Sequence, residues 1–97
     1  MQNAAYSLAD IRVFVKEGRI LNPRVLDAEN ELVFYFDLRA RDSNETIQDC
    51  VLYSTTSDKP RIFKKWRTIT KNLHNIGIKN WSVIKTIEPS ENVNREL

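Results

Sequence analysis

The chain has 97 residues, which is enough for one modest hydrophobic core and too few for two. Hydrophobic residues make up 41% and charged residues 29%, as in an ordinary globular domain, and the formal net charge of +2 points to no partner by itself. This composition excludes disordered and fibrous proteins. It predicts a single domain over residues 1–97, with frayed ends at 1–6 and 90–97.

The chain contains one cysteine, Cys50, which cannot form a disulfide within the molecule. Small secreted domains usually carry several paired cysteines, so we expect a cytoplasmic protein. The first residues show neither a basic start nor a long apolar run, and no later segment is apolar enough to span a membrane. The sequence therefore predicts neither a secretory signal nor a membrane partner.

The beginning of the chain has a period of two, which is typical of a strand. Apolar residues Ile11, Val13 and Val15 alternate with other side chains, so we predict a strand over residues 11–16, with a turn at Gly18. A second strand is expected over residues 19–27. Because Asn22-Pro23 interrupts it and proline cannot donate to a ladder, this strand should lie at an edge or contain a bulge.

The clearest strand pattern covers residues 32–41. One face of this strand is predicted to form the core and carries Leu32, Phe34, Phe36 and Leu38. Polar turn clusters follow at residues 42–45 and 57–60. Residues 46–56 between them are rich in β-branched and aromatic side chains and predict a further strand, and residues 61–63 predict a short return strand.

The period then changes to that of a helix over residues 64–76. An apolar stripe with spacings of three, four and three is formed by Trp66, Ile69, Leu73 and Ile76. Gly77 stands where a glycine ends a helix, and residues 78–87 predict a final strand before Pro89. We therefore predict an α+β fold, in which one main helix covers one face of a small antiparallel β-meander.

The residues that could support catalysis or metal binding are few. His74 lies off the apolar stripe and predicts a solvated helix residue, while Cys50 lies within a strand and predicts an inert buried thiol. No third group is evident for a Cys50–His74 pair, and one cysteine and one histidine cannot complete a zinc site without two carboxylates. The sequence thus favours a protein that is not an enzyme and has no metal or cofactor.

The distribution of charge is the most informative feature for function. Residues 1–58 carry six basic and ten acidic side chains. Residues 59–85 contain no acid and eight basic side chains: Lys59, Arg61, Lys64, Lys65, Arg67, Lys71, Lys79 and Lys85. Like charges without local partners repel one another, and an anionic partner such as nucleic-acid phosphate would relieve that repulsion. The alternative interpretation is a solvated helix face that is basic by chance.

Three of these basic residues, Lys64, Arg67 and Lys71, follow helical spacing and should share one face beside the apolar stripe. We predict that this face contacts phosphates, with Lys59, Arg61 and Lys65 at its margin, and that Lys79 also binds nucleic acid. Such contacts carry no sequence information, so binding would be tolerant of base sequence.

Aromatic residues allow two interpretations. Tyr35 shares a strand face with Arg39, a combination that suits base stacking on a single strand, although strand tyrosines more often pack against their neighbours. Trp66 is predicted to be core. Trp81, at the start of the last strand, could be core or a partly exposed contact residue.

The run Lys59-Pro60-Arg61-Ile62-Phe63-Lys64, followed by residues 66–78, resembles a pattern in small plasmid- and phage-associated proteins. That resemblance implies a mobile-element or DNA-related context and assigns no residue a role. Two hypotheses follow from the sequence. The first is a small module that binds nucleic acid, such as single-stranded DNA, through its basic segment. The second is an accessory or inhibitor module that binds a protein, and either could be a homodimer paired through an exposed strand edge.

Overall fold

The computed structural model describes residues 4–29, 31–56 and 59–85 and confirms the predicted α+β class. Two helices and five strands form one layer of helices on one sheet. The helices are α1 (Leu8–Lys16) and α2 (Trp66–Asn75), and the strands are β1 (Ala5–Tyr6), β2 (Ile20–Ala28), β3 (Glu31–Arg39), β4 (Thr46–Leu52) and β5 (Ser82–Lys85). Neither helix is long and apolar enough to span a membrane.

The sheet has the strand order β1-β4-β3-β2-β5. Its centre is the predicted meander, because β2 pairs antiparallel with β3 and β3 pairs antiparallel with β4. Both outer strands instead pair in parallel, β1 with β4 and β5 with β2. Parallel neighbours need long connections: the chain between β1 and β4 contains α1, β2 and β3, and the chain between β2 and β5 contains β3, β4 and α2.

The interruption in β2 proves to be a bulge. The register between β2 and β3 shifts between Leu21 and Arg24, and Asn22 adopts a positive φ of 50°. Pro23 lies inside this irregular stretch, where its missing N–H does not break the ladder. The strand is nevertheless central, since β5 continues the sheet beyond it.

The core lies on the face of β3 that the alternation predicts. Leu32, Phe34, Phe36 and Leu38 are all buried, and the rings of Phe34 and Phe36 stack with centroids 5.7 Å apart. Both helices pack on this same face, since the buried side chains of α1 and α2 belong to one cluster with these residues. The sheet is thereby covered on one side by the helices.

The strand predicted over residues 11–16 is wrong, because this segment belongs to α1. Ser7 starts the helix with a reciprocal capping box: its hydroxyl accepts from the backbone N–H of Asp10, whose carboxylate accepts from the N–H of Ser7. Ile11 is buried, whereas Val13 is about half exposed. The period of two in this segment therefore does not correspond to a buried and an exposed face.

The helix predicted over residues 64–76 is confirmed as α2, with one correction to its apolar stripe. Ile69, Leu73 and Ile76 are buried as expected, but Trp66 is 38% exposed and is not core. Trp66 is the first residue of α2, and helical side chains lean toward the N-terminus. A large side chain at this position therefore projects beyond the first turn instead of lying on the sheet.

Gly77 ends α2 as predicted, with a positive φ of 96°. The N–H of Gly77 donates to the carbonyl of His74 at 3.0 Å, and the N–H of Ile78 donates to the carbonyl of Leu73 at 2.9 Å. These two bonds form a Schellman motif, which satisfies carbonyls that the helix end leaves unpaired.

The short return strand is reduced to isolated bridges, one between Leu32 and Phe63 and one between Tyr53 and Pro60. The final strand is β5, which begins at Ser82 instead of the predicted residue 78. The predicted end of this strand at residues 86–87 lies outside the described residues, as do residues 88–97, 1–3, 30, 57 and 58. Ala5 and Tyr6, which the sequence led us to expect in a frayed end, form β1 beside β4.

Candidate nucleic-acid interface

The eight basic residues of the segment 59–85 are spread over the connection before α2, over α2 itself and over the chain after it. Seven are exposed and Arg61 is half-buried. Lys64 and Lys65 directly precede α2, Arg67 and Lys71 lie on it, and Lys79 and Lys85 follow it. The structure therefore concentrates four cations at the start and along the first two turns of one helix.

The outer side of α2 carries Arg67 and Lys71, which are four residues apart and both exposed. The opposite side carries the buried Ile69 and Leu73. Within the ranges that the structure describes, neither Arg67 nor Lys71 makes an ion pair or a hydrogen bond. Their charges are therefore available to a ligand.

Lys64 has a partner that the sequence does not reveal. Its Nζ lies 3.1 Å from Oε2 of Glu31, at the start of β3. The segment 59–85 contains no acid of its own, but the fold brings this carboxylate beside it. Both side chains are largely exposed, so the pair contributes little to stability and can be displaced by a stronger ligand.

Trp66 stands between Lys65 and Arg67 at the start of α2. Its indole is partly exposed, and Ile62 a few residues earlier is exposed to a similar degree. Sequence reasoning assigned this tryptophan to the core and so did not consider it as a candidate contact residue. Its place at the first helical position, with a basic residue on each side, is the signal that could have identified it.

Arg61 and Lys79 line different clefts from each other. The guanidinium of Arg61 lies 4.8 Å from the ring centroid of Phe63 and borders a cleft of about 440 Å³ with Ser7 and Tyr53. Lys79 borders a cleft of about 340 Å³ beside Gly18 and Gly77. A single ligand group in either cleft would thus contact only one of these two predicted site residues.

Tyr35 lies on the sheet face opposite the core, directly across from Arg24 of β2 and Val51 of β4. It is half-buried, as expected for a strand tyrosine that packs against neighbours. Arg39 is exposed at the end of β3, and its Nη2 donates to the carbonyl of Gly18 at 3.1 Å. Within the described residues, the structure shows no hydrogen bond or cation–π contact between the two side chains.

On the same outer face as Tyr35, a charged network surrounds Arg24. Its guanidinium contacts the carboxylates of Asp37, at 3.2 Å, and of Asp49. The backbone N–H of Asp49 donates to Asp37 at 3.0 Å, and Asn22 approaches the same carboxylate. Burial alone would raise the pKa of Asp37, but the hydrogen bond from Asp49 and the charge of Arg24 together lower it. This network is missing from the sequence analysis.

A second cluster that the sequence does not reveal joins the end of α1 to the end of β3. Glu17 accepts from Arg19 Nη1 at 2.9 Å through one oxygen and from Arg41 Nη2 at 2.8 Å through the other. These hydrogen bonds, that from Arg19 above all, lower the pKa of Glu17. Arg19 also donates from Nε to the carbonyl of Arg39 at 2.8 Å.

Cys50, the possible nucleophile, is buried, whereas His74 is exposed. Cys50 is free and fully buried, its Sγ is 3.5 Å from the carbonyl oxygen of Ile47, and burial raises the pKa of its thiol to about 11. His74 is exposed, as predicted, with its ring centroid 5.8 Å from that of the half-buried Trp81. In the described part of the chain, no three His, Cys, Asp or Glu side chains cluster as metal ligands would.

No family model, no curated protein and no solved structure matches this chain. The resemblance to plasmid- and phage-associated proteins therefore stays a hypothesis. The function must therefore be inferred from the surface of α2 and from the charges around it.

Proposed function

We propose that this protein is a small, non-catalytic module that binds single-stranded nucleic acid through the start and the outer side of α2. The observation that carries this proposal is the exposure of Trp66 between two exposed cations, Lys65 and Arg67, whose side chains make no ion pair within the described residues. Lys71 extends the same basic surface by one further turn. We call these four residues the α2 surface.

The physical basis is a combination of two forces. Lysine and arginine side chains attract the phosphates of the backbone, and an exposed indole offers a flat apolar surface on which an unpaired base can stack. In a duplex the bases are already stacked, so the indole would gain nothing there. The combination therefore favours single strands, and since every base has a π-face it should be tolerant of sequence.

The rest of the molecule supports this interpretation. Ile69 and Leu73 fix α2 on the sheet, so its outer side is presented on a rigid element. The only cysteine of the sequence is a buried free thiol, which is in keeping with the cytoplasmic location that we propose.

Fluorescence anisotropy with a labelled single-stranded oligonucleotide at low salt tests the proposal. We expect Trp66→Ala to weaken binding roughly fivefold or more, because one base–aromatic stack contributes about 1–3 kcal/mol. Trp66→Phe keeps an aromatic ring and should retain most of the affinity. Trp81→Phe is the matched control on the other tryptophan, and circular dichroism checks that each variant is folded.

A second candidate function is protein binding through the edge strand β5. Val83 and Ile84 are 48% and 45% exposed although they are adjacent apolar residues of one strand. Among the strands that the structure describes, β5 has a neighbour on one side only, so its other side could accept a strand from a partner or from a second copy. Failure of the unmutated protein to bind any single-stranded oligonucleotide at low salt would overturn the first proposal in favour of this one.

A further inference from the structure

A cleft of about 300 Å³ lies where the end of α1 meets the chain that follows β3. It is lined by Glu17, Arg19, Arg39, Ala40 and Arg41, which we call the arginine cleft. Its three guanidinium groups face one carboxylate, so the lining carries a net charge of +2. All three arginines come from the acidic first half of the chain, and only Arg39 was considered as a contact residue from the sequence.

The arginines are held in place by the fold. Arg19 is the most buried, since its guanidinium lies 5.0 Å from the ring centroid of Phe14 and bonds both Glu17 and the carbonyl of Arg39. Arg39 is fixed in turn by its bond to the carbonyl of Gly18. A guanidinium has five N–H donors, and the bonds just described use only one or two on each. Several donors therefore remain for a ligand.

We propose that the arginine cleft binds a phosphoryl group. Planar guanidinium groups form paired, charge-assisted hydrogen bonds to phosphate oxygens. A phosphate monoester near neutral pH carries close to two negative charges, which would balance the net charge of +2 on the lining. The cleft contains no residue of the α2 surface, so the proposal is independent of the nucleic-acid function. The phosphoryl group could belong to a small phosphate compound or to the end of a nucleic-acid strand.

The first test is a titration of the protein with inorganic phosphate, followed by NMR of the arginine Nε–H signals at constant ionic strength. We expect saturable shifts of the Arg19 and Arg39 signals. Arg41→Gln changes a side chain that is 64% exposed, so the fold should be retained, and it should weaken phosphate binding at least about fivefold. Arg12→Gln, at an exposed position of α1, is the matched control and should bind as the unmutated protein does.

A second variant separates binding from a merely structural role of the cluster. Glu17→Gln removes the carboxylate that competes for the arginines and should tighten phosphate binding by roughly fivefold. If Arg19 and Arg41 serve only to hold Glu17, this variant would gain no affinity. Absence of saturable binding to the unmutated protein, or equal binding by Arg41→Gln, would overturn the proposal.

Oligonucleotides with a 5′-phosphate and with a 5′-hydroxyl distinguish the two sources of the phosphoryl group. Tighter binding of the phosphorylated strand, lost in Arg41→Gln, would indicate a strand end. Equal binding of both strands, together with saturable binding of inorganic phosphate, would indicate a small phosphate compound. Failure of both strands to bind would overturn the function of the α2 surface without affecting the phosphate titration.

Discussion

Gly77 lies so close to Val15 that a β-carbon on the glycine would be 3.0 Å from Cγ1 of the valine. The first residue follows the end of α2, and the second lies near the end of α1. Gly77 therefore serves two purposes. It adopts the positive φ that closes the Schellman motif, and its missing side chain lets the two helix ends approach each other.

Replacing this glycine should be costly for both reasons. We expect Gly77→Ala to lower the free energy of unfolding by about 2–3 kcal/mol, combining strain at positive φ with displacement of Val15. Gly18→Ala is the matched control, because Gly18 also has a positive φ, of 69°, but open space around it. It should lose only about 1 kcal/mol in urea-induced unfolding. Equal losses would show that the contact with Val15 is unimportant.

Leu73 connects α2 to the core and is fully buried. Leu73→Ala should lower the free energy of unfolding by about 2–5 kcal/mol, because it removes apolar contacts and leaves a cavity. Trp66→Ala removes a larger side chain from the same helix but from a partly exposed position, so it should cost less. Chemical denaturation of both variants measures this order, and a larger loss for Trp66→Ala would restore that residue to the core.

Asp37 links the two bulged regions of the sheet, and its side chain is only 17% exposed. Asp37→Asn should lower the free energy of unfolding by about 2 kcal/mol at neutral pH, since it weakens charge-assisted bonds from Arg24 and from the N–H of Asp49. Asp49→Asn, at a mostly exposed carboxylate, should cost less than about 1 kcal/mol.

The pH dependence of stability gives a separate measurement of the same residue. The pKa of Asp37 is lowered in the folded state from its ordinary value of 3.8, so its contribution is present above that value and is lost as the pH falls below it. Between about pH 5 and about pH 2, the unmutated protein should therefore lose more stability than Asp37→Asn does. Parallel curves for the two proteins would contradict the assignment.

The strand β3 and the helix α2 could be predicted from the sequence because each has one face buried along most of its length. The buried residues are those that the sequence pattern identifies: the alternating apolar residues of 32–38, and Ile69, Leu73 and Ile76 at helical spacing. The helix α1 shows the limit of such patterns. Leu8, Ile11 and Val15 follow helical spacing after the Ser7 cap, but exposed Val13 adds a competing period of two. The local cap decides between the two patterns.

The surfaces were harder to predict because they depend on residues far apart in the chain. The exposed cations of α2 are visible in the acid-free segment, but the pairing of Lys64 with Glu31 and the meeting of Glu17 with Arg41 are not. Strand pairing brings these partners together although they are 33 and 24 residues apart in the chain, respectively. The parallel edge strands are invisible for the same reason.

Cys50 is fully buried, and its pKa is raised to about 11 from an ordinary value of 9.0. The folded thiol should therefore react with an alkylating reagent only when the protein unfolds, so labelling at neutral pH should follow the unfolded fraction across a urea titration. Because the folded state holds the proton of this thiol more tightly, Cys50 contributes to stability below about pH 9, and that contribution is lost as the pH rises toward 11. Cys50→Ala should lack that alkaline loss, and rapid labelling of the native protein would contradict the buried position.

The salt dependence of oligonucleotide binding tests how many cations of α2 contact phosphate. Each contact on a single strand contributes about 0.7 to the slope of the logarithm of affinity against the logarithm of salt concentration. The double change Arg67→Gln and Lys71→Gln should therefore lower the slope by about 1.4 if both residues contact phosphate. The control pair, Arg12→Gln with Lys16→Gln, removes the same charge from exposed positions of α1 and should leave the slope unchanged.

The ion pair between Lys64 and Glu31 leads us to expect one variant that binds oligonucleotide more tightly than the unmutated protein does. A phosphate that binds Lys64 must displace the carboxylate 3.1 Å away, so the pair lowers the affinity of this part of the surface. Glu31→Gln should therefore strengthen oligonucleotide binding, by up to about fivefold at low salt, and the gain should fade as salt screens the carboxylate. Glu45→Gln removes an exposed acid from the connection before β4 and controls for net charge alone. If both acid variants bind the oligonucleotide equally well, the change in net charge accounts for the gain in affinity. A gain confined to Glu31→Gln would place the bound oligonucleotide beside Lys64 at the start of α2.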